Sequence, residues 1–181
     1  MHTNDERLAL LRAFYTQGGA NDRGYTLIQL WERPDQWLER SHMFIQWMFP
    51  LTTPSAANIY APLLNDETIQ FLREDIKAQE NLERSFERFC GLLGLALERN
   101  CSVLQVVKGE NFEVRKGDWF TFNSHSNARI TRVLSCMRLL KRDDLAQVLF
   151  EGVLKLMDTE PDCGIGSVAV THWKKARGLS W

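Results

Sequence analysis

No run of apolar residues in this 181-residue chain approaches the ~20 needed to span a bilayer, so no transmembrane segment is expected. The opening residues carry Asp5 and Glu6 ahead of a short amphipathic pattern, unlike a secretory signal. Cysteine is sparse and scattered: Cys90, Cys101, Cys136 and Cys163 form no CxxC pair. That spacing argues against a zinc site or a disulfide framework and points to reduced thiols in a soluble, cytoplasmic protein. An excess of one charge is also missing. Lys plus Arg number 22 against 23 Asp plus Glu, a net charge of -1, so no global pull toward nucleic acid or an anionic membrane is expected. GxSxG, P-loop, GxGxxG and HExxH motifs are all absent, which removes the usual grounds for a nucleophile elbow, a nucleotide cradle or a zincin. His42, His125 and His172 lie too far apart in sequence to read as a metal set. No cofactor, no metal and no catalytic residue is therefore expected. Internal repeats and low-complexity tails are lacking too.

What is present suits one globular domain over residues 1–181, with 44% hydrophobic and 25% charged residues. Helical periodicity dominates. Leu8, Leu11 and Tyr15 mark a first helix, capped by Thr3 or Asn4 and closed at Gly18-Gly19. Residues 25–31 resist assignment. From about Pro34 a helix is expected through Phe49, with Leu38, His42, Ile45 and Phe49 on one stripe and Pro50 ending it. An irregular, proline-bearing loop follows. Asn65 then reads as an N-cap to an apolar stripe running from Ile69 to Leu97, a helix of roughly 45 Å at about 1.5 Å per residue. Gln79 interrupts that stripe, and Gly91 and Gly94 are candidates for a kink. Residues 103–107 and 112–114 read as a small hairpin. Two further amphipathic stripes follow, over 130–140 and 145–156, and a last helix over 167–176. Gly164 and Gly166 read as loop, and the Lys174, Lys175, Arg177 cluster as a solvated helix end. The fold expected is all-α, a single-domain bundle of about five to seven helices with one small β-hairpin near 103–114.

The densest information lies in Ser41 to Leu51, where aromatics, a histidine and a glutamine crowd a stretch that stops at Pro50. His42-x-Phe44-Ile45-Gln46-Trp47-x-Phe49-Pro50-Leu51 resembles the signature of the opioid growth factor receptor conserved region. Ala61-Pro62-Leu63-Leu64, followed by Glu67, Ile69, Phe71 and Arg73, resembles that family's entry to a long helix. His125 to Leu134, with Trp119 before it, is similar to its third block, although Ser126 stands where the family has Asn and Ala128 where it has a larger apolar residue. The likeness covers roughly residues 25–156 and implies a non-enzymatic, receptor-like binding module for an enkephalin-type peptide; no ligand residue is carried over with it.

Two clusters are the candidate binding residues. His125, Arg129, Arg132 and Cys136 are spaced to share one helix face opposite Ile130, Val133, Leu134 and Met137. With Asn123 at the helix start, they suggest a site for an anion or a peptide carboxylate. Against this stands the plainer reading of arginines paired with neighbouring carboxylates or facing water. His42 and Gln46, one turn apart, form the second cluster, either as a pocket floor or as hydrogen-bonded core residues. The ligand is expected to be an unknown peptide, a small anion or a protein partner. A small-anion-binding domain or an enzyme built on a His/Arg pocket, and a purely structural interaction domain, are the competing functions.

Overall fold

Hydrogen bonds from polar side chains mark the starts of several helices in this chain. The computed structural model describes residues 2–55, 57–100, 103–122 and 124–179, and among these it holds ten helices and one two-stranded antiparallel sheet. No helix among the described residues is long and apolar enough to cross a membrane. The chain divides into two compact units, residues 1–85 and 86–181.

The N-terminal unit opens with α1 (Asn4–Thr16) and α2 (Leu27–Trp31). Thr3 caps the first and Thr26 the second, each in a reciprocal box with the Glu6 or Gln29 side chain. The expected single helix up to Phe49 is instead two, α3 (Asp35–Arg40) and α4 (Phe44–Met48). Ser41 is extended, with ψ 127, and its Oγ accepts from the Met43 amide at 3.4 Å. A serine that offers the backbone a local partner breaks the helix at that point. The break also resets the helical phase. His42 consequently turns outward and is exposed, whereas Leu38, Ile45 and Phe49 of its expected stripe are buried.

The residues from Phe44 to Pro50 are all buried. Phe14 meets Trp47 edge-on at 5.6 Å, and the Tyr15 hydroxyl donates to the Met48 carbonyl at 2.5 Å. Asn4 clamps the following loop by exchanging two hydrogen bonds with the Leu63 backbone, 2.9 and 3.0 Å.

The helix expected from Asn65 to Leu97 is also broken, into α5 (Asp66–Glu74) and α6 (Ile76–Leu92), the latter running through the division at Ser85. Asp75, with ψ 118, leaves the helix, and its Oδ1 then accepts from the Ala78 amide at 2.8 Å, restarting it. Gln79, which spoils the apolar stripe, donates to the Leu72 carbonyl at 2.7 Å and so satisfies the end of α5.

In the C-terminal unit α6 stops at Leu92, and the chain turns through Gly94 at φ 74. A Cβ there would lie 2.7 Å from the Phe112 Cα, so both conformation and space demand glycine. The hairpin is β1 (Leu95–Asn100) with β2 (Val103–Lys108), pairing Leu95 with Lys108 through Asn100 with Val103. The strand expected at 103–107 is thus present, as the second of the hairpin rather than the first. Its partner is the segment that helical phase assigned to α6, and residues 112–114 belong to α7 (Phe112–Trp119). Arg115 and Trp119 of α7 donate to the Leu92 and Leu93 carbonyls, 2.8 Å each, closing the end of α6. Three helices complete the unit: α8 (His125–Leu139), α9 (Asp143–Thr159) and α10 (Ser167–Ala176). β2 lies against α9 where Gly152 would otherwise place a Cβ 2.7 Å from the Val106 carbonyl oxygen.

Candidate functional site

Helix α8 is buried around most of its circumference, and this sorts the candidate residues. Ile130, Val133, Leu134 and Met137 are core, and so are two members of the face expected to meet solvent. Arg129 is 5% exposed and Cys136 fully buried. Arg132 is partly buried and His125 exposed. Burial pushes the Cys136 thiol above its ordinary pKa, with Arg132 opposing the shift, and burial likewise lowers Arg132. Asn123 lies outside the described residues. His125, Arg129 and Arg132 therefore occupy three different environments rather than one cationic face.

His42 and Gln46 belong to the N-terminal unit. His42 sits in the exposed turn between α3 and α4. Gln46 is 2% exposed, and its Nε2 donates to Ser55 Oγ at 3.3 Å, fastening α4 to the loop beyond it. Its Oε1 is buried with no partner, as is the Trp47 Nε1. The signature stretch is thus mostly consumed in packing.

A recess of about 440 Å³ lies between the first half of α8 and the start of α10. From α8, Ser124, Asn127, Ala128 and Thr131 face it at i, i+3, i+4 and i+7. From α10 come Val168, Ala169 and His172, again one turn of helix. Phe122, 68% exposed, stands at the mouth. Its ring lies over Gly166, where a Cβ would come within 2.9 Å, and the Gly164 amide donates to the Phe120 carbonyl at 3.0 Å. The glycine pair read as loop is therefore what lets an aromatic ring lie flat at the groove.

The polar atoms of this groove are unevenly served. Ser124 caps α8, accepting from the Ser126 amide at 3.2 Å. The Asn127 carbonyl accepts from Thr131 Oγ1 and from Trp173 Nε1, 3.0 Å each, and this ties α10 to α8. The Asn127 side-chain Oδ1 is buried and has no partner. No charged side chain lines the recess apart from the titratable His172. The arrangement suits a largely apolar, uncharged group carrying a hydrogen-bond donor.

Sequence reasoning passed over Phe122, Asn127, Thr131 and Val168, and it weighed His172 only as a metal ligand. One signal was available: a Gly-x-Gly after a long helix marks close backbone approach to something bulky. Among the described residues, no group of three or more His, Cys, Asp or Glu is placed to hold a metal ion.

The family model described as the opioid growth factor receptor (OGFr) conserved region matches residues 21–157. A protein of Mus musculus named opioid growth factor receptor is 33% identical over 112 residues, 61% of this chain and 17% of the relative. Those of Rattus norvegicus and Homo sapiens, bearing the same name, are each 32% identical over 111 residues, 61% of this chain and 19% and 16% of theirs. The matched stretch is thus less than a fifth of the curated relatives' length. No solved structure matches the chain. The groove straddles the edge of the matched region, since α8 lies inside it and α10 beyond it. With the matched span covering most of its length and all three relatives carrying one name, this chain belongs to the opioid growth factor receptor conserved region family.

Proposed function

We propose that this chain is a receptor-like binding module, and that the groove between α8 and α10 receives its ligand. The observation that carries the reading is the recess itself, a mainly apolar hollow of about 440 Å³ with Ser124, Asn127, Thr131 and His172 as polar residues on its wall. The Asn127 Oδ1 is buried with no hydrogen-bond partner among the described residues, at a cost of about 1–3 kcal/mol. A turn of that side chain toward the recess offers it to a ligand N–H or O–H, while Phe122 and Val168 cover the ligand's apolar part. The relatives' name, opioid growth factor receptor, agrees with a peptide as the ligand. A peptide brings both amide donors and apolar side chains. Arg129 and Arg132 do not line this groove, so the anion reading takes no part in the proposal. No reaction is proposed.

The test is an NMR fragment screen on the ¹⁵N-labelled protein with small apolar amides, repeated on Ala128→Trp. Ala128 is exposed on the groove wall, so the indole fills the recess without entering the core. Fragments are expected to shift the amides of residues 124–131 and 167–172 in the native protein and not in the filled one. Fragments that gather elsewhere, or that bind the filled variant equally well, contradict the assignment.

A further inference from the structure

A different surface, in the N-terminal unit, combines an aromatic cluster with two exposed arginines, Arg23 and Arg40, that pair with no described residue. Trp37 of α3 meets Tyr25 edge-on, ring centroids 5.5 Å apart. Arg33 stacks against both rings, 4.9 Å from Tyr25 and 5.1 Å from Trp37, and so braces the pair. On one side of Trp37 lies a hollow of about 300 Å³ walled by Tyr25, Met43 and Phe44, with Arg23 at its edge. On the other side a second hollow, about 470 Å³, has Arg40 at its edge, and Trp37 and Ser41 are common to both.

Arg23 and Arg40 are exposed. Unlike Arg33, neither guanidinium has a hydrogen bond, ion pair or ring contact with any described residue. No acidic side chain lines either hollow, although the chain as a whole carries a net charge of -1. Positive charge on this surface is thus offered at two points, the Arg23 and Arg40 guanidinium groups, although Asp22 and Glu39 adjoin them in sequence. A guanidinium fork selects carboxylates by paired hydrogen bonds, and the walls between the two arginines select an aliphatic or aromatic side chain. Two hollows that share Trp37 and Ser41 on their walls also suit an extended chain laid along the surface.

We propose that this surface docks an acidic linear segment of a partner protein. An apolar side chain of that segment enters the Tyr25–Phe44 hollow, and flanking carboxylates pair with Arg23 and Arg40. This goes beyond the α8–α10 groove and does not depend on it.

The experiment is selection of a phage-displayed library of random dodecapeptides on the intact protein, followed by fluorescence polarisation with the selected peptides. The expected peptides carry Asp or Glu on both sides of a Leu, Phe or Trp. Their affinity falls at least tenfold on Arg23→Glu combined with Arg40→Glu, and weakens several-fold as salt is raised. That double variant keeps the fold, with a slightly lowered melting temperature because Arg40 closes the last turn of α3. Ala128→Trp, which fills the other groove, leaves the affinity unchanged. Peptides without acidic residues, the absence of any selected peptide, or indifference to the arginine reversals would overturn the proposal. Equal binding of a ten-nucleotide oligothymidylate at the same arginines would overturn it as well, by marking a general polyanion surface.

Discussion

Asn127 does two jobs with two parts of one residue. Its main-chain carbonyl anchors Trp173 and thereby α10, while its side-chain oxygen is buried with no donor. The two can be separated. Asn127→Leu leaves the carbonyl in place and removes the orphaned acceptor, so thermal stability should hold or rise, by up to about 1–3 kcal/mol. Ligand binding in the groove should be lost. A melting temperature well below native would show instead that the amide supports the fold. The cysteines give a second prediction at this scale. Cys90 and Cys136 are buried, and burial raises both thiol pKa values, aided at Cys90 by Glu87. Cys163 is partly exposed. Among these three, brief iodoacetamide treatment followed by peptide mapping should find label on Cys163 alone, and comparable labelling of Cys90 or Cys136 would contradict the burial.

At the scale of elements, the chain's backbone is set by breaks as much as by helices. Gly94 and Gly117 should respond oppositely to alanine. At Gly94, φ 74 and the close Phe112 backbone make alanine destabilising by more than about 1 kcal/mol. Gly117 lies exposed inside α7 with nothing within 4 Å of a Cβ, so alanine should stabilise by about 0.5–1 kcal/mol. Denaturant melts of the two variants check the signs. These breaks also explain what was legible in the sequence. Caps announced themselves: Thr3 and Asn65 stand where side-chain oxygen was expected to meet the first turn, and α8, α9 and α10 follow their stripes. Phase failed where a single residue resets it. Leu93 and Leu97 continue the α6 period, yet Gly94 turns the chain into β1. Ser41 does the same between α3 and α4, which is why His42 is exposed. The groove was illegible for a related reason. Its residues are of mixed character and are drawn from two helices far apart in sequence and the loops before them, so no local pattern marks them.

Considered over the whole molecule, charge plays a modest and local part. Lys116 holds the Glu113 carboxyl below its ordinary range, and Glu160 and Glu113 hold Lys108 and Lys116 above theirs. Glu113 contributes stability that is lost as pH falls through its lowered folded value, and the lysines contribute stability that is lost as pH rises through their raised ones. Melting temperature should therefore be nearly flat from about pH 6 to about pH 9 and decline on both sides. Raised salt should make the decline on both sides shallower, because screening reduces the shifts of these charge pairs. A steep change near neutral pH would contradict this distribution of charge.

The α8–α10 groove is the proposed ligand site of this family member. The most direct test is amide chemical-shift mapping while an enkephalin-type peptide is titrated into the native protein and into Ala128→Trp. Saturable shifts confined to residues 124–131 and 167–172, absent from the filled variant, are the predicted result. Saturable shifts located elsewhere, or unchanged by the tryptophan, would contradict the groove as the ligand site. No shifts at all would contradict the receptor reading for this class of peptide.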